Sequence, residues 1–287
     1  MSERWTIRRV LAWATEDFKK RGLSSPRLDA ELLVAYGLGL SRVGLYMDLD
    51  RPLDDEERAK LRELVTRRRA HEPIAYIVGF RDFYKHRFAV RPGVLVPRPE
   101  TESLVEAALG FLPEGEPRCV VEVGVGSGAI GLSLLAERAA ATLVGIDLSD
   151  VALEVTAENA RALGVADRAD LRKGDLFAPL AADERFDLVV SNPPYIPRAE
   201  IETLDPDVRD HEPRLALDGG EDGLDLHRRL AREAPARLVS GGAILVEVGD
   251  HQAEAVMALH RETGAYRETR AVSDLGGMPR VVVSVRA

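Results

Sequence analysis

Several kinds of site are excluded by what this 287-residue sequence lacks. It has a single cysteine, Cys119, which excludes an internal disulfide and any thiolate cluster. The six histidines are scattered, with no pair at helical ligand spacing, so we expect no metal site. Cys119 precedes Val120 and Val121 in an apolar run, which predicts a small buried side chain and not a nucleophile.

The sequence also lacks a long apolar stretch and a broad basic surplus. No segment approaches the roughly 20 apolar residues of a membrane span, and the first 20 residues are charged throughout, unlike a signal peptide. We therefore expect a cytoplasmic protein with no membrane partner. Residues 1–90 carry 18 Lys and Arg against 14 Asp and Glu, whereas the remainder carries 21 against 34. An acidic main part disfavours a nucleic-acid partner.

The N-terminal part is helical in pattern. Apolar residues recur at helical spacing from Ile7 to Phe18, a second helix starts at Pro26, and a third, charged one runs from Asp54 to Arg69. Residues 1–75 thus predict a small helical domain that either contacts a substrate or only stabilises the protein. Residues 76–112 predict a linker that ends in a helix. The segment Ile74 to Phe80, which overlaps the start of this linker, and the segment Phe88 to Val90 predict a hairpin or a short extended stretch.

From residue 113 to 287 strands and helices alternate, which predicts a doubly wound, mostly parallel seven-stranded sheet. Only the loop Ser273 to Pro279 joins the last two strands, so that pair should be antiparallel. The predicted strands are Cys119 to Val123, Thr142 to Ile146, Ala169 to Lys173, Phe186 to Ser191, Ala243 to Val248, Tyr266 to Val272 and Val281 to Val285.

A glycine-rich loop joins the first of these strands to a helix. Gly124, Gly126 and Gly128 permit a tight turn and close approach of a ligand near a helix N-terminus. Asp147 ends the next strand. Its spacing from the glycine loop along the sequence is about the one at which an acidic residue binds ribose hydroxyls. Glu122 should repel a pyrophosphate but attract the ammonium group of S-adenosylmethionine, so it favours that cofactor.

The third and fourth strands also end in candidate ligand groups. Asp175 can accept the adenine amino group, with Leu176 and Phe177 lining the ring. After Ser191 the sequence Asn-Pro-Pro-Tyr forms a stiff loop, because neither proline donates to a sheet. The Asn192 side-chain oxygen and the Pro193 carbonyl can accept both hydrogens of a planar NH2 group while Tyr195 covers its plane. The ends of four consecutive strands are therefore predicted to converge on one crevice.

With these residues the chain resembles the release-factor glutamine methyltransferases, the protein-(glutamine-N5) methyltransferases of bacteria and organelles. The resemblance covers nearly the whole length. It rests on the glycine loop and on the segments Glu72 to Gly79, Pro97 to Glu102, Ser191 to Ile196, Glu212-Pro213, Ala216 to Gly220, Asp222 to Leu224 and Glu247 to Gly249.

The resemblance implies a class I S-adenosylmethionine-dependent methyltransferase fold with a small N-terminal helical domain. It implies that the residues Gly124, Val125, Gly126, Ser127, Gly128, Asp147, Leu176 and Asn192 contact S-adenosylmethionine, with S-adenosylhomocysteine as product. It implies that Asn192, Pro193, Pro194 and Tyr195 hold the substrate, which is the glutamine of the Gly-Gly-Gln motif in class I peptide chain release factors.

Three alternatives stay open at this point. The nearest is a glutamine methyltransferase acting on a ribosomal protein. An adenine-amino DNA or RNA methyltransferase shares Asn-Pro-Pro-Tyr, but the acidic catalytic part and the lack of a basic, aromatic-rich stretch disfavour it. A non-catalytic binding module with this fold has no need of the Asn-Pro-Pro-Tyr loop.

Overall fold

The computed structural model describes residues 4–287, which form two compact units. The first consists of the residues up to Gly79 together with Asp205–His211, and the second of Phe80–Leu204 and Glu212–Ala287. The N-terminal stretch of the first unit ends at Gly79, and the hairpin and the helix of the expected linker lie in the second unit. The expected start of the first domain at residue 1 lies outside the described residues.

The first unit is helical, as its apolar periodicity predicts. Its core contains Ile7, Phe18 and Leu33 from the first two helices and Leu61 from the fourth. Asp54 caps the fourth helix in a capping box with Glu57, which accounts for its sharp start. The helices are α1 (Ile7–Lys20), α2 (Pro26–Leu38), α3 (Arg42–Met47), α4 (Asp55–Arg69) and α5 (Ile74–Val78).

The segment after Pro73 is a helix, so the prediction of an extended segment there is wrong. Its β-branched residues Ile74, Ile77 and Val78 favour a strand. However, Pro73 stands at the N-cap position, and Gly79 ends the helix in the left-handed conformation with φ +85°. Ile77 is buried in the core of the first unit, so packing overrides the local preference. The hairpin follows as β1 (Phe80–Phe83) and β2 (His86–Ala89).

The second unit is built on a mixed sheet of seven strands in the order β5-β4-β3-β6-β7-β9-β8. Strands β3 to β7 are parallel, and β9 lies antiparallel between β7 and β8. The predicted fold class is therefore confirmed, including the antiparallel last strand. The strands are β3 (Arg118–Val123), β4 (Ala141–Asp147), β5 (Ala169–Lys173), β6 (Phe186–Ser191), β7 (Leu238–Glu247), β8 (Tyr266–Ser273) and β9 (Pro279–Arg286).

Helices cover both faces of this sheet, because successive strand residues point to opposite faces. Leu188 and Val190 of β6 share a core cluster with Leu104 and Leu132, whereas Val189 between them shares another with Leu230. The helices are α6 (Glu102–Leu109), α7 (Ala129–Glu137), α8 (Asp150–Ala162), α9 (Pro206–Arg209, in the first unit), α10 (Asp225–Glu233) and α11 (Ala253–Glu262). No helix within residues 4–287 is long and apolar enough to cross a bilayer.

Cys119 is exposed, so the prediction that it is buried is wrong. It lies near the amino end of β3, one residue before the strand enters the core at Val120. Its sulfur is 3.6 Å from the Thr142 hydroxyl on the neighbouring strand. The apolar run therefore begins one residue later than the sequence indicates.

Candidate active site

The carboxyl ends of β3, β4 and β6 and the turn after β5 open into one cavity of about 400 Å³. Gly124, Asp147, Leu176 and Asn192 all line it. Because β3 pairs with both β4 and β6, these ends meet at the place where the strand order reverses. The structure thus brings together the groups that the sequence places at four separate strand ends.

The glycine loop exposes its backbone to this cavity. Gly124 and Gly126 have φ of +75° and +58°, and a Cβ built on either meets no atom within 4 Å. A Cβ on Gly128 would instead lie 2.9 Å from the Thr156 side chain, so that glycine serves close packing. Helix α8 holds the loop from behind, since Thr156 donates to the Gly126 carbonyl at 3.0 Å and Asn159 donates to the Ser127 carbonyl at 2.8 Å.

Asp147 is fixed at the cavity wall by backbone N–H groups. Its Oδ2 accepts from Gly126 N and its Oδ1 from Ser149 N, both at 2.9 Å. Each oxygen keeps a lone pair for a ligand hydroxyl. The carboxylate is therefore oriented in advance and can bind a diol without rearrangement.

Glu122 lies deeper and is 1% exposed. Its Oε2 accepts from Gly131 N at 2.9 Å, in the first turn of α7. Burial raises the pKa of this carboxyl to about 8, and the negative charge of Asp147 adds to the shift. A cation bound in the cavity would favour the ionised form.

The turn after β5 carries Asp175 and Leu176. Both oxygens of Asp175 accept from the Arg229 guanidinium, at 3.0 and 2.8 Å. Leu176 is buried and has φ +48°, a conformation uncommon for a non-glycine residue and often found at functional sites. Both residues line the cavity. The role of Asp175 as acceptor of an adenine amino group stays a prediction.

The Asn-Pro-Pro-Tyr loop lies between this cavity and a second one. Asn192 and Pro194 line the first, Pro193 is buried between them, and Tyr195 lines the second cavity of about 590 Å³. The Tyr195 hydroxyl donates to Glu247 Oε1 at 3.4 Å. Burial raises the Tyr195 pKa, so its hydroxyl stays protonated. That its ring covers a substrate amide stays a prediction.

Residues after the motif hold this loop in place. The Tyr195 carbonyl accepts from Gln252 Nε2 at 2.9 Å, and a Cβ on Gly223 would clash with the same carbonyl. Ile196 forms a bridge with Asp218. Part of the stretch from Pro197 to Gly223, which has no clear periodicity, therefore supports the site.

The residue patterns do not identify several other neighbours of the site. Asn192 Nδ2 donates to Thr101 Oγ1 at 3.3 Å, and Arg98 donates to the buried Glu212 at 2.7 Å. Thr101 and Glu247 belong to segments on which the family resemblance rests, and that resemblance is the sequence signal for them. Their positions in the sequence otherwise indicate only the start of a helix and the end of a strand. Within residues 4–287 no three His, Cys, Asp or Glu side chains group as metal ligands.

Comparison with known proteins points to one family along the whole chain. The family model described as PrmC N-terminal domain matches residues 9–79, and the model described as methyltransferase small domain matches residues 102–204. A release factor glutamine methyltransferase of Geobacter sulfurreducens is 45% identical over 280 residues, covering 98% of this chain and 96% of its own. One from Caulobacter vibrioides is 46% identical over 283 residues, covering 98% and 97%.

Solved structures share their fold with about two thirds of this chain. A methyltransferase from Pyrococcus furiosus aligns with a TM-score of 0.52 at 16% identity, covering 69% of this chain and 87% of its own. The hMettl16 catalytic domain, solved in complex with the MAT2A 3'UTR hairpin 6, aligns with a TM-score of 0.54 at 13% identity, covering 69% and 75%. At such identities the likeness shows the fold alone.

Proposed function

This chain belongs to the release factor glutamine methyltransferases, and we propose that it methylates the side-chain amide nitrogen of the Gly-Gly-Gln glutamine in class I peptide chain release factors. The methyl donor is S-adenosylmethionine. The observation that supports the proposal is that Asn192 lines the glycine-loop cavity together with Asp147 and Leu176. A nucleoside bound by Asp147 and Leu176 would then share this cavity with the amide acceptor.

The residues around the first cavity fit S-adenosylmethionine. The open backbone at Gly124 and Gly126 admits its amino-acid part, the Asp147 oxygens suit its ribose hydroxyls, and buried Leu176 suits its adenine. Glu122 would favour its ammonium group. Bound there, the cofactor supplies a methyl group already activated by a positively charged sulfur, and S-adenosylhomocysteine remains.

The Asn-Pro-Pro-Tyr loop has the task of orienting the glutamine. A carboxamide nitrogen is a poor nucleophile because its lone pair is delocalised, so alignment is the main contribution the protein makes. The Asn192 oxygen and the Pro193 carbonyl accept the two amide hydrogens, and Tyr195 packs against the amide plane. Such positioning can contribute several kcal/mol.

The helical unit is proposed as a second holding point for the release factor. A loop that inserts one side chain into a cavity needs contacts elsewhere to stay in register. Val43 and Met47 lie four residues apart on α3 and are 71% and 83% exposed, so both side chains are accessible to a partner. These side chains support a contact role for residues 1–75.

The direct test is transfer of a labelled methyl group from S-adenosylmethionine to a purified class I release factor. The matched control is the same factor with its Gly-Gly-Gln glutamine replaced by alanine. Label on the native factor alone is the expected result. Equal label on both factors would contradict the site, and label only on ribosomal proteins or on nucleic acid would contradict the substrate.

A further inference from the structure

The second cavity, of about 590 Å³, borders the Asn-Pro-Pro-Tyr loop at Tyr195 and lies within the second unit. Its lining is acidic. Two guanidiniums and one imidazole line it, those of Arg98, Arg280 and His251. The carboxyl groups that line it are more numerous and belong to Glu100, Glu200, Asp222, Glu247 and Asp250. A concave surface with this excess of carboxyl groups attracts positive charge.

The two guanidiniums of this cavity are already bound to other carboxylates. Arg98 donates to Glu212, which does not line the cavity, at 2.7 Å. Arg280 donates to Asp250 at 3.0 Å and to Asp274 at 3.4 Å. The hydrogen bonds of both guanidiniums to carboxylates are therefore directed away from the remaining acids of the cavity.

Glu247 is the buried acid of the second cavity. It ends β7 and is 1% exposed. Its Oε1 accepts from the Tyr195 hydroxyl at 3.4 Å, and its Oε2 has no hydrogen-bond partner among residues 4–287. A buried carboxylate without full pairing is costly, so this oxygen points to a ligand with a positive charge. At such depth the attraction is weakened little by salt.

The cavity favours an organic cation over a metal ion. In the part of the chain that the structure describes, no three His, Cys, Asp or Glu side chains group as metal ligands. A guanidinium or an ammonium group needs fewer carboxylates and tolerates wider spacing between them, because it brings several N–H donors of its own. Glu100 and Glu200 are exposed, so a side chain arriving from solvent meets negative charge before it reaches Glu247.

We propose that the second cavity binds an arginine or lysine side chain of the protein substrate, close in sequence to the methylated glutamine. The inference deepens the proposed function and rests on it. Asn192 lines the first cavity, and Tyr195, three residues further along the same loop, lines the second. Three residues of extended chain span at most about 10 Å, so the cationic residue lies within about four positions of the glutamine. Glu247 then determines specificity for the sequence around that glutamine.

Short peptides that contain Gly-Gly-Gln test the proposal. In each peptide, one position within about four residues of the glutamine carries either arginine or citrulline, which is its neutral isostere. Fluorescence anisotropy of labelled peptides gives the Kd for the full chain with S-adenosylhomocysteine present. We expect arginine at one or two positions to lower the Kd about tenfold relative to citrulline.

Two results with the native protein would overturn the proposal. One is that arginine and citrulline peptides have equal Kd values at every position, or that no arginine peptide binds. The other is the same gain from arginine at every position. Because the chain has a formal net charge of -9, such a uniform gain would show only a general attraction for cationic peptides.

The variant Glu247→Gln should remove the preference for arginine. Glutamine keeps an acceptor for the Tyr195 hydroxyl but carries no charge, so the two kinds of peptide should bind within about twofold of each other. Glu200→Gln, an exposed change, should reduce the preference about two- to threefold. Glu268→Gln, on β8 and outside both cavity linings, is the matched control. A native preference in Glu247→Gln, or in Glu200→Gln if the first variant does not fold, would overturn the proposal.

Methyl transfer to the same peptides separates this inference from the proposed function. We expect the favoured arginine peptide to have a KM about tenfold lower than its citrulline counterpart, with a similar kcat. If the peptides bind with the arginine preference but accept no methyl group, the proposed function fails and the cation site stands. If their glutamine is methylated without an arginine preference at any position, the cation site fails.

Discussion

The Arg68 guanidinium, whose side chain is only 3% exposed, binds the Asp207 carboxylate at 2.7 Å. The two residues lie 139 positions apart, yet both belong to the first unit. Asp29 binds the same guanidinium at 2.8 Å, so Arg68 is neutralised from two sides. The ion pair between Arg68 and Asp207 explains why the segment Asp205–His211 belongs to the helical unit, although the residues on either side of this segment belong to the second unit.

Replacing Asp207 by asparagine should destabilise the first unit by roughly 1–3 kcal/mol, because one charged partner of a buried guanidinium is lost while Asp29 remains. Urea denaturation measures the change. Asp210→Asn is the control, since Asp210 is about half exposed and pairs with its neighbour Arg209. Equal midpoints for Asp207→Asn and the native protein would contradict this account.

A change on α3 tests the recognition role of the helical unit. The double substitution Val43→Asp and Met47→Asp should raise the KM for an intact release factor about tenfold or more, because charge replaces exposed apolar contact area. The KM for a short peptide containing Gly-Gly-Gln should not change. Full deletion of residues 1–75 is a poorer test, since it removes Arg68 and leaves Asp207 unpaired. An unchanged KM for the release factor would show that this surface does not recognise it.

Much of the fold could be predicted because strand ends have strong local signals. The runs of apolar residues that stop at Asp147 and at Asn192 identify two strands, and their ends identify the edge of the sheet where ligands bind. The contact of Asn192 with Thr101 could not be predicted, because it depends on how two segments that are 91 residues apart in the sequence meet in the fold. The same holds for Arg68 and Asp207. The helix at Ile74–Val78 was predicted wrongly because local propensity favoured a strand and packing prevailed.

Cofactor binding should release a proton from Glu122. With a pKa raised to about 8 by burial, this carboxyl is largely protonated at pH 7, and a nearby ammonium group would favour its ionised form. Calorimetric titration in buffers of different ionisation enthalpy counts the protons released. We expect close to one for the native protein and none from this group in Glu122→Gln, which keeps an acceptor for Gly131 N. Equal release by both proteins would show that Glu122 is not the source.

His227 should make the protein sensitive to acid. It is fully buried, neither ring nitrogen has a partner among residues 4–287, and burial, with a smaller effect of His260, lowers its pKa to about 3. In the unfolded chain this histidine binds a proton near pH 6.5, and in the folded chain it does not. The free energy of unfolding is therefore highest above that pH and declines below it. The loss amounts to about 2 kcal/mol between pH 6.5 and 5.

The variant His227→Leu isolates this effect, because other buried groups titrate identically in both proteins. Its stability relative to the native protein should rise by that amount on going from pH 6.5 to 5, as measured by urea denaturation at each pH. A difference that does not vary with pH would mean that His227 is not the group responsible.

The most direct measurement of the site takes Asn192→Ala and Asp147→Ala through both single-turnover methyl transfer and calorimetric binding of S-adenosylmethionine. For Asn192→Ala we predict a rate lower by orders of magnitude, with cofactor affinity reduced much less, because the residue orients the substrate amide. For Asp147→Ala we predict affinity weakened about 10- to 100-fold and a smaller effect on the saturated rate. Normal turnover at saturating cofactor in Asn192→Ala, with binding lost, would contradict the assignment of the Asn-Pro-Pro-Tyr loop to the glutamine.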